Sequence, residues 1–361
     1  MAKHKKKRLL RALLCVLAAL ILIAGGYAAY VFLAYSRVPD NTALAVRSVN
    51  DTAARTGEPY TLLSFNIGFG AYEPDYGFFM DGGTQSWAWS KERLQKNMAA
   101  IEAFLADEGA DFMLLQEVDE DATRTYHVNE REGLETALSG YDSAFAQNWD
   151  SPYLFYPITQ PHGKTRCGML TFSRARIASA LRRSLPVEDS LMKLVDLDRC
   201  YSVSRIPVEN GRELALYCVH LSAYTSDGKI ATEQLRLLLD DMAAEYAKGN
   251  YAVCGGDFNK DLLGDSSRYF GVSGDDYTWA QPLPEGTFDG LPLTLVAASN
   301  APSCRTADGP YHPGQFVLTV DGFIVSDNVR VLNQQTVDTG FAFSDHNPVK
   351  LMFELTGMNN E

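Results

Sequence analysis

Apolar positions along this chain fall into two regimes. From Ala12 to Tyr35 they continue for 24 residues without a charge. Beyond Pro59 they come in short blocks of strand length, separated by stretches with helical spacing. The long run is sufficient to cross ~30 Å of hydrocarbon as one helix. The cluster MAKHKKKR precedes it, and Lys and Arg beside a span stay on the cytoplasmic side. Residues 1–11 are therefore expected as a basic cytoplasmic tail, 12–35 as a single transmembrane helix of the cell membrane, and everything after it as extracytoplasmic. A cleavable signal peptide is the competing reading. Gly25, Gly26, Ala28 and Ala29 supply the small residues of a cleavage site, although a signal core is usually shorter, ~7–15 residues. Between 36 and 59, Pro39, Asp40, Asn41, Gly57 and Pro59 interrupt any periodicity and predict a linker.

Within the body, 60–357, the blocks predict strands at Tyr60–Gly68, Phe112–Val118, Gly168–Ser173, Tyr201–Val208, Glu213–Leu221, Tyr251–Phe258, Phe316–Ser326 and Val349–Leu355. Helices are expected at Lys91–Leu105, where Leu94, Met98, Ile101 and Leu105 share a face, and at Ala231–Tyr246, through Leu235, Leu238, Leu239 and Met242. Many strands covered by a few helices favour a layered two-sheet architecture over a bundle. The stretch Ala71–Ser90, with three glycines and two tryptophans, is too irregular for an element. It is expected as a long loop that packs on the body or walls a site.

Charge changes the picture of what this body meets. The 361 residues sum to -13, but residues 1–37 hold seven basic and no acidic side chains, so the remainder sets 25 basic against 45 acidic residues and carries -20. Such a surface repels a polyanion, which makes nucleic acid a disfavoured partner, although a local basic groove is compatible with a negative total. The six cysteines form no CxxC pair or metal-finger spacing, and Cys218 and Cys254 sit in apolar runs as small core residues. No protein partner is implied.

Candidate chemistry gathers where polar residues end or interrupt the apolar blocks. Asn66 ends LLSFN, Glu117 ends MLLQE, His220 ends LYCVH, and Asp257 and Asn259 end VCGGDFN. Asp321 interrupts LTVDGFIV, and Asp345 and His346 stand in FSDHNP before the last strand. Each alone is explained by a cap, a turn or a satisfied buried polar group. Eight together at strand ends, which converge on one edge of a layered sheet, suit a hard cation and a phosphate. In this order LLQEV, GGDFN and SDHNPV resemble the endonuclease/exonuclease/phosphatase family over Tyr60–Leu355, a family that includes pancreatic-type deoxyribonuclease, bacterial sphingomyelinase and phosphoinositide phosphatases.

The resemblance implies an α+β fold, a four-layer sandwich of two packed mixed β-sheets flanked by helices, here preceded by one transmembrane helix. It implies Mg²⁺, with Mn²⁺ as a substitute, held by Glu117 with Asn66 and Asp345. Asp257 would orient or deprotonate the attacking water, and Asn259 would hold a phosphoryl oxygen. Asp321 and His346 would form a carboxylate–imidazole dyad, and His220 would donate to a phosphoryl oxygen or the leaving group. The HL pattern in CVHLSAY points away from the abasic-site endonuclease branch.

Arg124, Asn148 and Arg166 are further candidates for touching substrate; for the first two, a solvated Arg and a turn Asn are the structural alternatives. His127, His162 and His312 receive no role, and GKTRCG lacks the spacing of a phosphate loop. The leading expectation is a membrane-anchored, metal-dependent phosphoesterase acting on a lipid headgroup or small phosphoester. A surface or secreted nuclease and an inactive binding module are the alternatives, and specificity is expected in the loops 71–90, 151–165 and 264–307.

Overall fold

In a computed structural model, whose described residues are 2–189, 193, 197–223, 229–273 and 281–357, the apolar blocks assemble into two seven-stranded mixed sheets. Across the first, in spatial order, lie Thr42–Leu44, Ser179–Ser184, Cys200–Pro207, Glu213–His220, Tyr251–Asp257, Asp321–Ser326 and Leu293–Val296. Across the second lie Val329–Thr336, Val349–Leu355, Pro59–Asn66, Phe112–Ala122, Thr165–Ser173, Asp142–Asp150 and Val46–Arg47.

The inner strands are buried along most of their length because alternate residues serve different layers. Leu62, Leu114, Leu216, Val253 and Phe323 fill the space between the sheets. Leu63, Phe65 and Met113 point the other way, onto Leu94, Met98, Ile101 and Leu105 of the helix Lys91–Glu108. Tyr217, Ala252 and Cys254 likewise meet Leu235, Leu238 and Met242 of the helix Lys229–Ala247. The result is the expected four layers, helix, sheet, sheet, helix. Helix Lys91–Glu108 begins and ends on local chemistry: the Ser90 side chain accepts from Arg93 N, and Gly109 closes it in the left-handed region.

Three features depart from the sequence reading. Strands Asp142–Asp150, Ser179–Ser184 and Val329–Thr336 have no clean apolar alternation. The last is an edge strand whose central residues face water, so packing gives it no pattern to display. The block Phe316–Ser326 is not one strand. Val320 N and Asp321 N both donate to the Ser303 hydroxyl at 3.0 Å, which breaks the ladder. Val317–Leu318 pairs with Cys304–Arg305 outside the main sheets, and only Asp321–Ser326 enters the first sheet.

The expected linker 36–59 is built into the sandwich. Thr42–Leu44 pairs with Ser179–Ser184, and Val46–Arg47 pairs with Asp142–Asp150, so one strap closes an edge of each sheet. Arg37 Nε also meets Asp198 Oδ1 at 2.6 Å. Exposed sheet edges offer unpaired N–H and C=O groups, and these strands are too short for periodicity to reveal them. Upstream, Ala2–Ala34 forms a single helix, long and apolar enough to cross a membrane. Its last turns touch the body: the Tyr27 hydroxyl lies 3.2 Å from both Tyr153 O and Phe155 N, and the Tyr30 hydroxyl accepts from Tyr153 N at 2.9 Å.

Candidate active site

Strand register gathers the polar residues. Parallel pairing sets His220 opposite Asp257, and antiparallel pairing on the other side sets Asp257 opposite Asp321. Three candidate side chains therefore stand in a row at the end of the first sheet. Close approach is required here. At Gly256 the backbone has φ 156°, and a Cβ would run into the carbonyl of Val219. In the second sheet the ladder is irregular between Leu115 and Val118, where Glu117 takes φ 56°. This bulge turns the Glu117 carboxylate into the same cavity, and a non-glycine residue in the left-handed region costs strain that the surrounding sheet must hold.

The two sheets meet through Asn66, whose Nδ2 donates to Glu117 Oε1 at 3.2 Å and to Asp257 Oδ2 at 3.1 Å. The turn before the last strand completes the set. Ser344 Oγ lies 2.9 Å from Asn66 O and 3.1 Å from Asp345 Oδ1, and it accepts from His346 N at 3.2 Å. His346 Nδ1 is 2.7 Å from Asp321 Oδ2, while its Nε2 lies 3.8 Å from Asp257 Oδ2. His220 Nε2 is 3.5 Å from that same oxygen. Asn259, at φ 49°, donates its backbone N–H to Asp257 Oδ1 at 2.8 Å and an Nδ2 proton to Leu221 O at 2.8 Å. All eight expected residues thus belong to one connected cluster.

Their environments pull the proton affinities apart. Burial pushes Asp257 up to about 7, with the nearby Asp321 adding to the shift and His346 opposing it. Burial also raises Glu117, reinforced by Asp345. For His346, burial opposes the charged ring, but the Asp321 carboxylate outweighs it and holds the imidazole well above its ordinary range. His220 goes the other way, driven far down by burial and by the cations Arg199 and His346. The two neighbouring histidines are thus pulled in opposite directions.

A cavity of about 820 Å³ opens over these groups, with Glu117, His220, Asp257, Asn259, Asp345 and His346 in its floor. Among the described residues, Asp257, Asp321 and His346 bring ligand-type atoms within 4.8 Å of one another. Asp321 Oδ2, however, is already engaged by His346 and by the Ser303 hydroxyl at 2.8 Å. Glu117 and Asp345 fit a cation better. Both carboxylates face the cavity, and burial together with the neighbouring Asp345 raises Glu117, while Asn66 stands beside them with its Nδ2 on Glu117 and its Oδ1 accepting from Gly68 N at 3.0 Å. Hard oxygen donors in small number, with open positions beside them, suit a divalent ion of the Mg²⁺ type.

The three further candidates behave differently from one another. Arg124 lines the cavity, but its Nε and Nη2 are engaged by both oxygens of buried Asp119 at 3.0 and 2.8 Å, and its guanidinium lies 3.7 Å over the Phe69 ring. Its charge is neutralised within the fold. Arg166 pairs with Glu120 at 2.8 Å away from the cavity lining. Asn148 is buried beside Cys167, 3.6 Å from its sulfur, and is also off the lining.

Other lining residues carried no readable signal. Arg199, donating to Leu221 O at 2.9 Å, lies beside His220. His162 is buried among Phe78, Phe79 and Trp149, and neither of its ring nitrogens has a hydrogen-bond partner among the described residues. Burial, aided by Arg124, holds it neutral down to about 3. All three loops expected to set specificity reach the cavity, through Phe78–Asp81, Leu154–Tyr156 and Cys304–Ala307; residues 274–280 of the third lie outside the described residues.

Solved structures share this architecture. An endonuclease/exonuclease/phosphatase from Beutenbergia cavernae superposes with a TM-score of 0.60 at 19% identity, over 84% of this chain and 73% of that one. ANGEL2, a 2′,3′-cyclic phosphatase in complex with adenosine-2′,3′-vanadate, gives 0.55 at 16%, over 86% and 98%. The human Nocturnin catalytic domain with a bound sulfate gives 0.51 at 17%, over 87% and 97%. No curated protein matches the chain. The Endonuclease/Exonuclease/phosphatase family model matches residues 63–346, most of the chain and every member of the cluster, and the chain therefore belongs to that family of phosphoric ester hydrolases.

Proposed function

We propose that the chain is a membrane-anchored, Mg²⁺-dependent phosphoesterase that hydrolyses a lipid headgroup or other small phosphoester outside the cytoplasmic membrane. The observation that carries this reading is the convergence of eight polar residues from both sheets on one connected cluster, six of which line the floor of one cavity. Mg²⁺ held by Glu117, Asp345 and Asn66 would neutralise charge on a nonbridging phosphate oxygen. Asp257, with a proton affinity near neutrality, is suited to take a proton from an attacking water. His346, kept charged by Asp321, donates from Nε2 to a phosphoryl oxygen. Neutral His220 offers its Nε2 hydrogen to a second phosphoryl oxygen or to the leaving group, and Asn259 orients the Asp257 carboxylate through its backbone N–H.

Small substrates fit because the body carries -20. One or two phosphates can be held by a single cationic focus, whereas a duplex needs several phosphate contacts along an acidic surface. The test is a panel of phospholipids, sugar phosphates, nucleotides and plasmid DNA, given to the full chain in detergent with Mg²⁺. Turnover abolished by chelation and by Glu117→Gln, with an unchanged circular dichroism spectrum, is the expected result. Chelator-resistant turnover in Glu117→Gln would sink the metal assignment, and efficient plasmid nicking that strengthens at low salt would transfer the chain to the nuclease reading.

A further inference from the structure

The cavity has a polar floor and an apolar mouth, and the mouth abuts the N-terminal helix. Phe155, Tyr156 and Ile158 are 56%, 69% and 88% exposed, and Met80 is 57% exposed. Single exposed apolar residues are ordinary, but a contiguous group of this size on a soluble surface marks a contact site. Tyr153–Ile158 contains no charge, in a body of -20. It is an uncharged window in a surface that would otherwise be repelled by anionic lipid.

The helix fixes where this window sits. The Tyr27 hydroxyl is held between Tyr153 O and Phe155 N, and the Tyr27 ring packs edge-on to Phe155 at 5.3 Å. Tyr156 stacks at a tilt on Phe79, 5.7 Å away. Tyr27, Phe79, Met80, Phe155 and Tyr156 line the same cavity as Glu117, His220 and Asp257. Helix Ala2–Ala34 ends seven residues after Tyr27, which at ~1.5 Å per residue is about 10 Å along the axis. The first charge beyond the apolar run is Arg37, paired with Asp198. If the helix spans from Arg8, with the Arg11 side chain snorkelling to the cytoplasmic face, ~30 Å of hydrocarbon at ~1.5 Å per residue ends near Ala28, so Tyr27 and Tyr30 lie at the depth where tyrosine belts meet headgroups, and the loop bonded to them lies at that depth too.

We propose that the rim Tyr27, Phe79, Met80, Phe155, Tyr156 and Ile158 is seated in the membrane interface. The substrate is then an amphiphilic phospholipid-type ester that enters from the bilayer, its phosphate over the polar floor and its apolar part against the rim. This rests on the phosphoesterase reading for its substrate and on the membrane-spanning reading for its depth, and the two are tested separately.

Depth is measured on the full chain in phosphatidylcholine/phosphatidylglycerol vesicles, with a spin label at Ile158→Cys in a Cys15→Ala background, the other cysteines being buried. Glu209→Cys, exposed in the turn preceding strand Glu213–His220 and so at the opposite end from the site, is the water-facing control. The label at 158 is expected to be accessible to oxygen and protected from a water-soluble nickel chelate, with the reverse at 209. Equal nickel accessibility at both positions overturns the proposal. For turnover, Ile158→Asp should lower hydrolysis of a vesicle-borne phospholipid by about tenfold, the scale of losing one partly buried aliphatic contact. Hydrolysis of bis(p-nitrophenyl) phosphate in solution should be unchanged. A parallel fall on both substrates would show a structural defect and refute bilayer entry. If the wild type hydrolyses neither substrate, the phosphoesterase reading fails, and the depth measurement alone decides the rim.

Discussion

His346 has one nitrogen held at short range and one turned to the cavity, where Asn66 Nδ2, Cys304 Sγ and Asp257 Oδ2 lie 3.5, 3.6 and 3.8 Å away. Its Nδ1 is bound to Asp321, itself clamped by the Ser303 hydroxyl, and Nε2 is left toward the cavity. The second residue does its work only through the first, so their effects should not combine independently. Asp321→Asn and His346→Ala are each expected to lower kcat by about 10²–10⁴-fold, the usual weight of a proton-handling group. The double variant should be little worse than the poorer single one. Steady-state kinetics on a soluble phosphodiester measures this, and losses that multiply would mean that the pair does not act as a unit. Both residues were legible in the sequence, because a lone Asp inside LTVDGFIV and an Asp-His before an apolar strand are conspicuous interruptions. Ser303 was not legible. It lies in a polar loop, and its role comes from two N–H groups of a distant strand that it diverts from the ladder. Arg199 and His162 were invisible for a related reason: neither belongs to a motif, and both acquire a position only when loops fold over the strand ends.

Elements are held in place by a few buried ion pairs. Arg124, a candidate for touching substrate with a solvated Arg as the alternative, lines the cavity but is engaged by Asp119 on the bulged strand Phe112–Ala122, whose shifted register alternation does not reveal. The Asp119 side chain is fully buried, so Arg124→Ala leaves an uncompensated carboxylate in the core. About 3–5 kcal/mol of destabilisation is expected, visible as a lowered Tm; an unchanged Tm would return Arg124 to the substrate.

Helix Lys229–Ala247 is tied to the first sheet by Glu245, which accepts from Arg205 at 2.8 and 3.1 Å, from Lys248 at 2.8 Å and from Asn250 at 2.7 Å. Hydrogen bonds from Arg205, opposed by burial, bring its carboxyl down to about 2, below an ordinary value of 4.5. A depressed folded-state affinity stabilises above the unfolded value and fades as protons bind. The Tm gap between the wild type and Glu245→Gln should therefore be full above pH 5 and shrink as pH falls from 4.5 toward 2. Calorimetry across that range checks it, and a gap that is constant with pH would assign the effect to packing.

At the scale of the whole molecule, the four-layer architecture was legible because both sheets' inner strands are continuous apolar blocks. The strap 36–59 was not, since its strands are two and three residues long. Their pairing depends on sheet edges contributed by residues 142–150 and 179–184. Buried Arg182 depends on the strap as well, through Val38 O at 3.3 Å. A fragment beginning at Ser36 keeps these contacts. One beginning at Pro59 opens an edge of each sheet and is expected to associate edge to edge. Size-exclusion chromatography should find the longer fragment monomeric and the shorter one aggregated, and identical monomers would show that the strap is dispensable.

If the helix Ala2–Ala34 anchors the chain as proposed, the strap also decides where the protein can be shed. A surface protease that cuts between the helix end at Ala34 and the first strap contact at Arg37 would release an enzyme with both strap-paired sheet edges still covered. The same cut a few turns of chain later, beyond Arg47, would leave the closing strands attached to the membrane stump and liberate a domain primed to stick to its own copies. Ectodomain release and ectodomain loss are thus separated by about a dozen residues of backbone, roughly 40 Å if fully extended.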